Sequence, residues 1–286
     1  MLIVPTKVKL VFAGILYFFI SLIRSLMGFP NIGVFNRGSY RWELDLKEGI
    51  DFSIFIQGCF EPEVIKTYKN HIKEGDIVID IGANIGAHTI PLADLVGVNG
   101  KVVAVEPTVY AFTKLKRNLE LNAKLTNRVE FVHAYLASSP TDVIESEISS
   151  RWPIKDFNSP KENHGGVLES TGNAIITTLD DYILKLDLKK VDWLKLDVDG
   201  NELKILMGAK EVLQKLKPNI IMEIAPSCHR LTETNQFSQM ITLLSDYEYE
   251  MKRISNNRIL PLDAKKLLKI IPANACINVI LKRKNN

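Results

Sequence analysis

The segment GDIVIDIGANIGAHTIPLADLVGVNGKVVAVEP, residues 75–107, decides the fold. Ile77–Ile81 is a short apolar run bounded by turn residues, the pattern of a buried strand, and a helix near 85–96 follows it. Val102–Val105 is a second such strand and ends on Glu106. Between strand and helix lie Gly82, Asn84 and Gly86, and glycine lets a backbone turn tightly and approach a ligand where a side chain would collide. In open parallel sheets ligands sit beyond the carboxyl ends of the strands. Asp80 closes the first strand. Glu106 closes the second, 20 residues beyond Gly86, where a carboxylate can accept both hydroxyls of a ribose. Each residue alone could cap a helix or shape a turn; the ordered set Asp80, Gly82, Asn84, Gly86 and Glu106 reads as a half-site for an adenosine-bearing cofactor.

Outward from this segment the strand–helix alternation continues. Strands are expected at 102–105, 129–134, 174–177, 192–198 and after Pro218, with helices near 109–123, from Leu179, over Asn201–Leu216 and near 235–246. Tyr247–Ile254 and Cys276–Leu281 read as two more strands. Such alternation predicts an α/β fold with a mostly parallel, seven-stranded sheet and helices on both faces. The chain divides into an apolar segment (1–27), an N-terminal extension (28–75) and the main domain (76–286). In the extension, Trp42–Leu46 and Phe52–Ile56 alternate like short strands and 62–71 reads as a helix. Residues 137–173 carry Ser-Ser-Pro, Trp-Pro, Ser-Pro and Gly-Gly without apolar periodicity and read as an insertion or lid, since long irregular loops in compact domains are often functional.

Composition narrows the partners. With 36 basic and 33 acidic residues the net charge is +3, and no clustered basic face of the kind nucleic-acid binders use is visible. Lys282–Lys284 reads as a solvated tail. Cys59, Cys228 and Cys276 are far apart, without metal-ligand spacing, and read as reduced thiols of a cytoplasmic protein. Leu10–Ile23 is an uncharged run of 14 residues flanked by Lys9 and Arg24. As a helix it covers about 21 Å, against a hydrocarbon thickness of roughly 30 Å. Residues 8–27 therefore read as a shallow contact with the cytoplasmic face of a membrane, with a marginal span and a helix docked on the domain as the other readings.

The cofactor follows from what the turn lacks. A dinucleotide fingerprint wants G-x-G-x-x-G, and here those places hold Gly82, Asn84 and Ala87. Asp80 suits a ligand with a positively charged amino group better than a pyrophosphate, which favours S-adenosylmethionine over NAD.

VIDIGANIGAHT (78–89), VVAVEP (102–107), TTLDDY (177–182) and WLKLDVDGNELKILMGAKEVL (193–213) with KPNIIMEI (217–224), in this order, resemble the FkbM-type S-adenosylmethionine-dependent methyltransferases. WELDLKEGIDFSIFIQGCFEPEV (42–64) and ANACINVIL (273–281) are similar to that family's edges, so the likeness covers roughly 40–281. It implies a class I methyltransferase (Rossmann-like) fold whose last strand is antiparallel to the rest. It also implies O-methylation of a hydroxyl on a sugar, glycan or other secondary metabolite. Asp199 departs from the family's usual Glu, and 137–173 follows none of its patterns.

Methyl transfer needs a proton removed from the acceptor hydroxyl. Asp197 and Glu223 close two adjacent strands, so both are expected at the cofactor's rim, as base or as joint ligands of a divalent cation such as Mg²⁺, which carboxylates suit. Asp199 and Glu202 form an Asp-x-x-Glu pattern close to a capping box. His88 faces either the site or the helix surface, and His229 is a candidate for the acceptor pocket. His133 and Lys195 read as structural, Asp180 and Asp181 as a helix start, and Ala134–Leu136 as neighbours of the adenine. Two other readings are a nicotinamide-dependent oxidoreductase, opposed by Asn84 and Ala87, and a membrane-tethered binding module without catalysis, opposed by the intact acids. The identity of the acceptor, metal dependence and oligomeric state are not set by the sequence.

Overall fold

A computed structural model of the chain describes residues 6–154, 166–228, 236–272 and 275–283. The N-terminal part runs α1 (Thr6–Leu26), β1 (Ile32–Arg37), β2 (Tyr40–Asp45), α2 (Gly49–Gln57) and α3 (Pro62–His71). The main domain follows with β3 (Ile77–Ile81), α4 (Thr89–Leu95), β4 (Lys101–Val105), α5 (Val109–Glu120), β5 (Val129–Val132), β6 (Ala134–Leu136), β7 (Glu147–Arg151), β8 (Val167–Ser170) and β9 (Ile175–Thr177). It continues with α6 (Leu179–Lys185), β10 (Trp193–Leu196), α7 (Glu202–Met207), β11 (Asn219–Ile224), α8 (Gln236–Asp246), β12 (Tyr249–Arg253), β13 (Ile259–Leu260), α9 (Ala264–Ile270) and β14 (Ile277–Arg283).

The central sheet has eight strands in the order β13-β12-β14-β11-β10-β3-β4-β5. The expected seven are there, and the two-residue β13 adds an edge. β11, β10, β3, β4 and β5 are mutually parallel, and β14 enters antiparallel between β11 and β12. The order reverses between β3 and β10, which places the ligand crevice above their carboxyl ends. Parallel strands covered on both faces are apolar throughout, as IVIDI, KVVAV and WLKL are.

Because successive side chains point to opposite faces, the sheet presents two different surfaces. One carries Ile79, Ile81, Val103, Leu194, Leu196, Met222 and Val279 into a core closed by α6, α7 and α8. The other carries Val78, Val102, Trp193, Ile221 and Ile280 against α3, α4 and the N-terminal extension, whose Trp42, Leu44, Phe52 and Tyr68 are buried there. The extension is thus a cover for this second face.

Several elements depart from the sequence reading. Phe52–Ile56 is helical, not a strand: α2 ends at Gly58 in the left-handed conformation, whose N–H caps Ile54 O. A five-residue segment with four apolar residues fits either period, and the glycine stop with burial of Asp51, Phe52 and Ile54 decides for the helix. The strand expected over 129–134 is broken into β5 and β6, and β6 pairs with β9 outside the central sheet. The helix after the glycine turn starts only at Thr89. Lys282 and Arg283 belong to β14 and are no solvated tail; Lys282 Nζ lies 3.3 Å from His71 Nδ1, and Arg283 donates to Leu213 O at 2.6 Å. Lys284 lies outside the described residues. Within 137–173, β7 and β8 pair as an antiparallel hairpin. No helix among the described residues is long and apolar enough to cross a membrane. α1 instead docks on the extension: Tyr17 is 2% exposed and meets Phe52 edge-on at 5.6 Å, and Arg24 stacks over Phe35 and Phe55.

Candidate active site

The glycine turn after β3 is tightly constrained. Gly82 has φ +78°, and a Cβ there would lie 2.1 Å from Asp197 O, so only glycine lets the β3 and β10 ends meet. Asn84 is also left-handed, at φ +46°. Its N–H donates to Glu106 Oε2 at 2.9 Å, and Glu106 Oε1 accepts from Thr108 N and Oγ1 at 2.9 and 2.6 Å. Burial pushes the Glu106 carboxyl up, against these bonds. Gly82, Asn84 and Glu106 border one cleft together with Ala134–Leu136 and Asp197–Asp199. The hairpin residues Ile148–Ser150 and Trp152 close its far side. Asn84 Nδ2 donates to Ser150 O at 3.1 Å, and Ser150 Oγ lies 2.8 Å from Thr108 Oγ1. The cleft measures about 80 Å³, below the roughly 300–1,000 Å³ of ordinary ligand pockets.

Asp80 and Gly86 stand back from this cleft. Asp80 is fully buried and accepts from Thr89 Oγ1 at 2.6 Å, while its Oδ1 has no hydrogen-bond partner among the described residues. Gly86, at φ +89°, gives α4 room against Leu115.

A second, larger cavity of about 630 Å³ adjoins the first and shares Gly82, Asn84, Trp152, Asp197 and Asp199 with it. Its polar floor is a row on the second face of the sheet. Lys195 is in register with Asp80, and Glu223 with Asn278. Lys195 Nζ reaches Asp197 Oδ2 at 3.2 Å. Burial alone would discharge Lys195, but Asp197, Asp80 and Glu61 hold its pKa above the ordinary value. From the extension, Glu61 accepts from Asn278 Nδ2 at 2.7 Å and faces His88 Nε2 at 3.3 Å, while His88 Nδ1 meets Tyr68 OH at 3.1 Å. Burial opposes ionisation of Glu61, and His88, Asn278 and Lys195 together outweigh it, so its carboxyl stays below the ordinary range.

The remaining acids are crowded. Burial first, then Asp197, raises Glu223 well above the carboxylate range. Asp199 opens into the cavity yet is pushed up to about 7, by desolvation and then by Asp197 and Glu202. Glu202 also rises to about 7, mainly by burial, while accepting from Gly200 N and Val198 N at 3.0 and 3.3 Å. That reach back to the chain before α7 is a capping interaction. Asp199 itself is left-handed and the N-cap is Asn201.

The structure therefore brings Asp197 and Glu223 to one cavity and places Asp197 where cavity and cleft meet. The Glu, His, Asp or Cys ligand atoms that come within 4.8 Å of one another, as a group among the described residues, belong to Glu61, His88 and Asp197, without Glu223. A divalent cation fits this set poorly: Lys195 already neutralises Asp197, and Tyr68 OH takes His88 Nδ1, although His88 Nε2, 3.3 Å from Glu61 Oε2, makes no hydrogen bond. His133 accepts its structural role, with Nε2 on Pro107 O and its ring stacked on Phe112 at 4.8 Å. Asp180 takes the N–H groups of Glu211 and Val212, and Asp181 sits in the Thr178 cap. His229 lies outside the described residues. Glu61, Tyr68, Phe60 and Trp152 escaped the sequence reading. The one available signal is Pro62, which marks Glu61 as a helix cap rather than as a site residue.

The model of the FkbM methyltransferase domain matches residues 80–251, more than half of the chain. Among characterised proteins, the hexuronic acid methyltransferase of Haloferax volcanii is 29% identical over 57% of this chain, an alignment that spans 62% of that protein's length. A protein named methyltransferase 1 from Beauveria bassiana is 24% identical, covering 63% of this chain and 74% of its own. The crystal structure of an FkbM methyltransferase from Methylobacillus flagellatus superposes with a TM-score of 0.42 at 17% identity, over 75% of this chain and 50% of the other. The family match and the two sequence relatives support neither the nicotinamide reading nor a module without catalysis. With β14 antiparallel beside β11 and the glycine turn over β3, the chain belongs to the FkbM methyltransferase domain family.

Proposed function

We propose that the chain transfers a methyl group from S-adenosylmethionine to a hydroxyl of a sugar, glycan or other secondary metabolite. The observation that carries this reading is the junction of cleft and cavity at Gly82, Asn84, Trp152, Asp197 and Asp199. Through it a donor in the cleft can face an acceptor in the cavity. Glu106 would accept the ribose diol in exchange for its bonds to Thr108, Ala134–Leu136 would border the adenine, and the buried Asp80 would act on the amino group through its field. The acceptor oxygen forms a bond to the methyl carbon while the carbon–sulfur pair returns to sulfur, leaving S-adenosylhomocysteine. Asp197 takes the hydroxyl proton and passes it to solvent, with Lys195 fixing the carboxylate. Alignment carries much of the rate, and a positioned base adds typically 10²–10⁴-fold. Glu223, whose carboxyl burial and Asp197 push towards the protonated form, is placed to hydrogen-bond the acceptor. No step runs through a metal ion.

The exposed side of α1, with Phe12, Ile15, Phe18, Phe19, Leu22 and Ile23, suits a membrane surface, and we place the protein at the cytoplasmic face. Flotation with anionic lipid vesicles checks this: the protein should float and Phe18→Asp/Phe19→Asp should stay at the bottom, and unmodified protein that stays at the bottom removes the reading.

Incubation with labelled methyl donor and fractionated cell extract or envelope glycans, followed by mass analysis, tests the reaction. A gain of one methyl retained in alkali identifies an ether and supports a hydroxyl acceptor; an alkali-labile methyl identifies a carboxylate acceptor and overturns it. Absence of any calorimetric response to S-adenosylhomocysteine overturns the donor assignment.

A further inference from the structure

The large cavity has two chemically different ends. Its floor beside the cofactor cleft holds Glu61, His88, Lys195, Asp197 and Glu223. Away from that floor the walls are Phe12, Ala13 and Leu16 of α1 and Ile50, Phe52 and Ile56 of α2, interrupted by Ser53 and Gln57, which bond to each other. A free sugar carries hydroxyls on every side, and most of those turned towards α1 and α2 would lose water against apolar side chains. Each unsatisfied group costs about 1–3 kcal/mol. The volume of about 630 Å³ lies well inside the range of ordinary ligand pockets, and the apolar end is continuous with the polar floor.

The apolar wall also leads outward. Phe12, Leu16 and Ile56 are 69%, 43% and 41% exposed while bordering the cavity, so they form a rim between the interior and the surface. A chain longer than the cavity can leave along this rim, beside the outer face of α1.

We infer that the acceptor is an amphiphile: a hydroxylated head rests on the polar floor and a linear apolar chain lies between α1 and α2. This rests on the methyl-transfer reading, of which it names the substrate class. It gives α1 a second task besides its docking, as one wall of the acceptor site.

The test uses the full-length protein saturated with S-adenosylhomocysteine and the series methyl, hexyl and octyl β-D-glucoside, each below its micellar concentration, titrated by calorimetry. A buried methylene contributes up to about 0.8 kcal/mol, or roughly fourfold in affinity. At least a tenfold gain from methyl to octyl is therefore expected. Leu16→Asp and Ile56→Asp, both at the exposed rim, are each expected to abolish that gain while leaving S-adenosylhomocysteine binding within threefold. A flat series overturns the inference. So does a gain that survives both substitutions, because the chain would then be adsorbed elsewhere. Loss of S-adenosylhomocysteine binding in the unmodified protein, with the chain-length gain intact, strikes the methyl-transfer reading and leaves the apolar subsite standing.

Discussion

The cleft and the cavity meet at Asp197, yet they draw on the chain differently. Apart from β6 and the hairpin that closes it, the cleft is assembled from turns that follow strands directly: 82–84 after β3, 106–107 after β4 and 197–201 after β10. The cavity joins Phe12 of α1 to Cys276 just before β14, with Glu61 and Trp152 from separate connections. A site of the first kind inherits its geometry from the parallel sheet, because the carboxyl ends of adjacent strands are neighbours by construction. A site of the second kind depends on how an added cover packs. It follows that the geometry of the cleft comes mainly from the sheet and that of the cavity from the packing of its cover.

The largest effect on that contrast is expected at Gly82. Gly82→Ala would place a methyl 2.1 Å from Asp197 O at a left-handed backbone position, displacing the β3 and β10 ends together. Stability should fall by more than about 2 kcal/mol, and S-adenosylhomocysteine affinity by over 100-fold, both read by calorimetry. A variant that binds normally would show that the cleft does not need this close approach.

Asp197→Asn comes next and separates the two compartments. It should lower turnover on an identified acceptor by about 10²–10⁴-fold while S-adenosylhomocysteine binding changes less than tenfold. Unchanged turnover removes Asp197 from the mechanism and leaves only a boundary residue.

Glu202 tests the wall behind the junction. Its carboxyl is pushed from 4.5 to about 7 in the fold. A raised acid contributes stability that is fully present below the unfolded value and is lost as pH rises through the folded one. The protein should therefore lose stability between about pH 4.5 and 8, with Asp199 acting in the same direction. Glu202→Gln should be more stable than the parent at pH 8.5, by on the order of 3 kcal/mol at most, and no more stable at pH 4. Urea titrations at the two pH values decide it.

The smallest effect concerns the hairpin. Ser150→Ala removes the Thr108 contact and leaves the backbone bond to Asn84. A single such bond is worth about 0.5–1.5 kcal/mol, so S-adenosylhomocysteine should bind up to about tenfold more tightly. Weaker binding would mean that Ser150 Oγ serves the donor directly.

This contrast also explains what the sequence disclosed. Gly82, Asn84 and Glu106 lie in one continuous stretch whose strand and turn chemistry is local, so they could be found as a set. Asp197 and Glu223 could be placed because they close strands. Glu61 and Trp152 have no such frame: one caps a helix and the other follows a hairpin strand, and only packing brings them to the floor and rim. The depth of Asp80 could not be read from the sequence for a related reason. Strand alternation gives the face a side chain takes but not its depth, and Thr89 at 2.6 Å holds this carboxylate under the turn. Phe52–Ile56 misled because a mostly apolar segment this short satisfies both periods. The apolar N-terminus carried two destinations in one pattern, and Tyr17 against Phe52 shows how one side of it is used.

The row Asp80, Lys195, Asp197 and Glu61 holds more acidic than basic groups beneath the junction. If the chain transfers a methyl group as proposed, a sulfonium donor would bring a compensating charge to this spot, and its thioether product would not. The row would then hold the spent donor less firmly than the charged one, so that discharge of the sulfur would itself favour release.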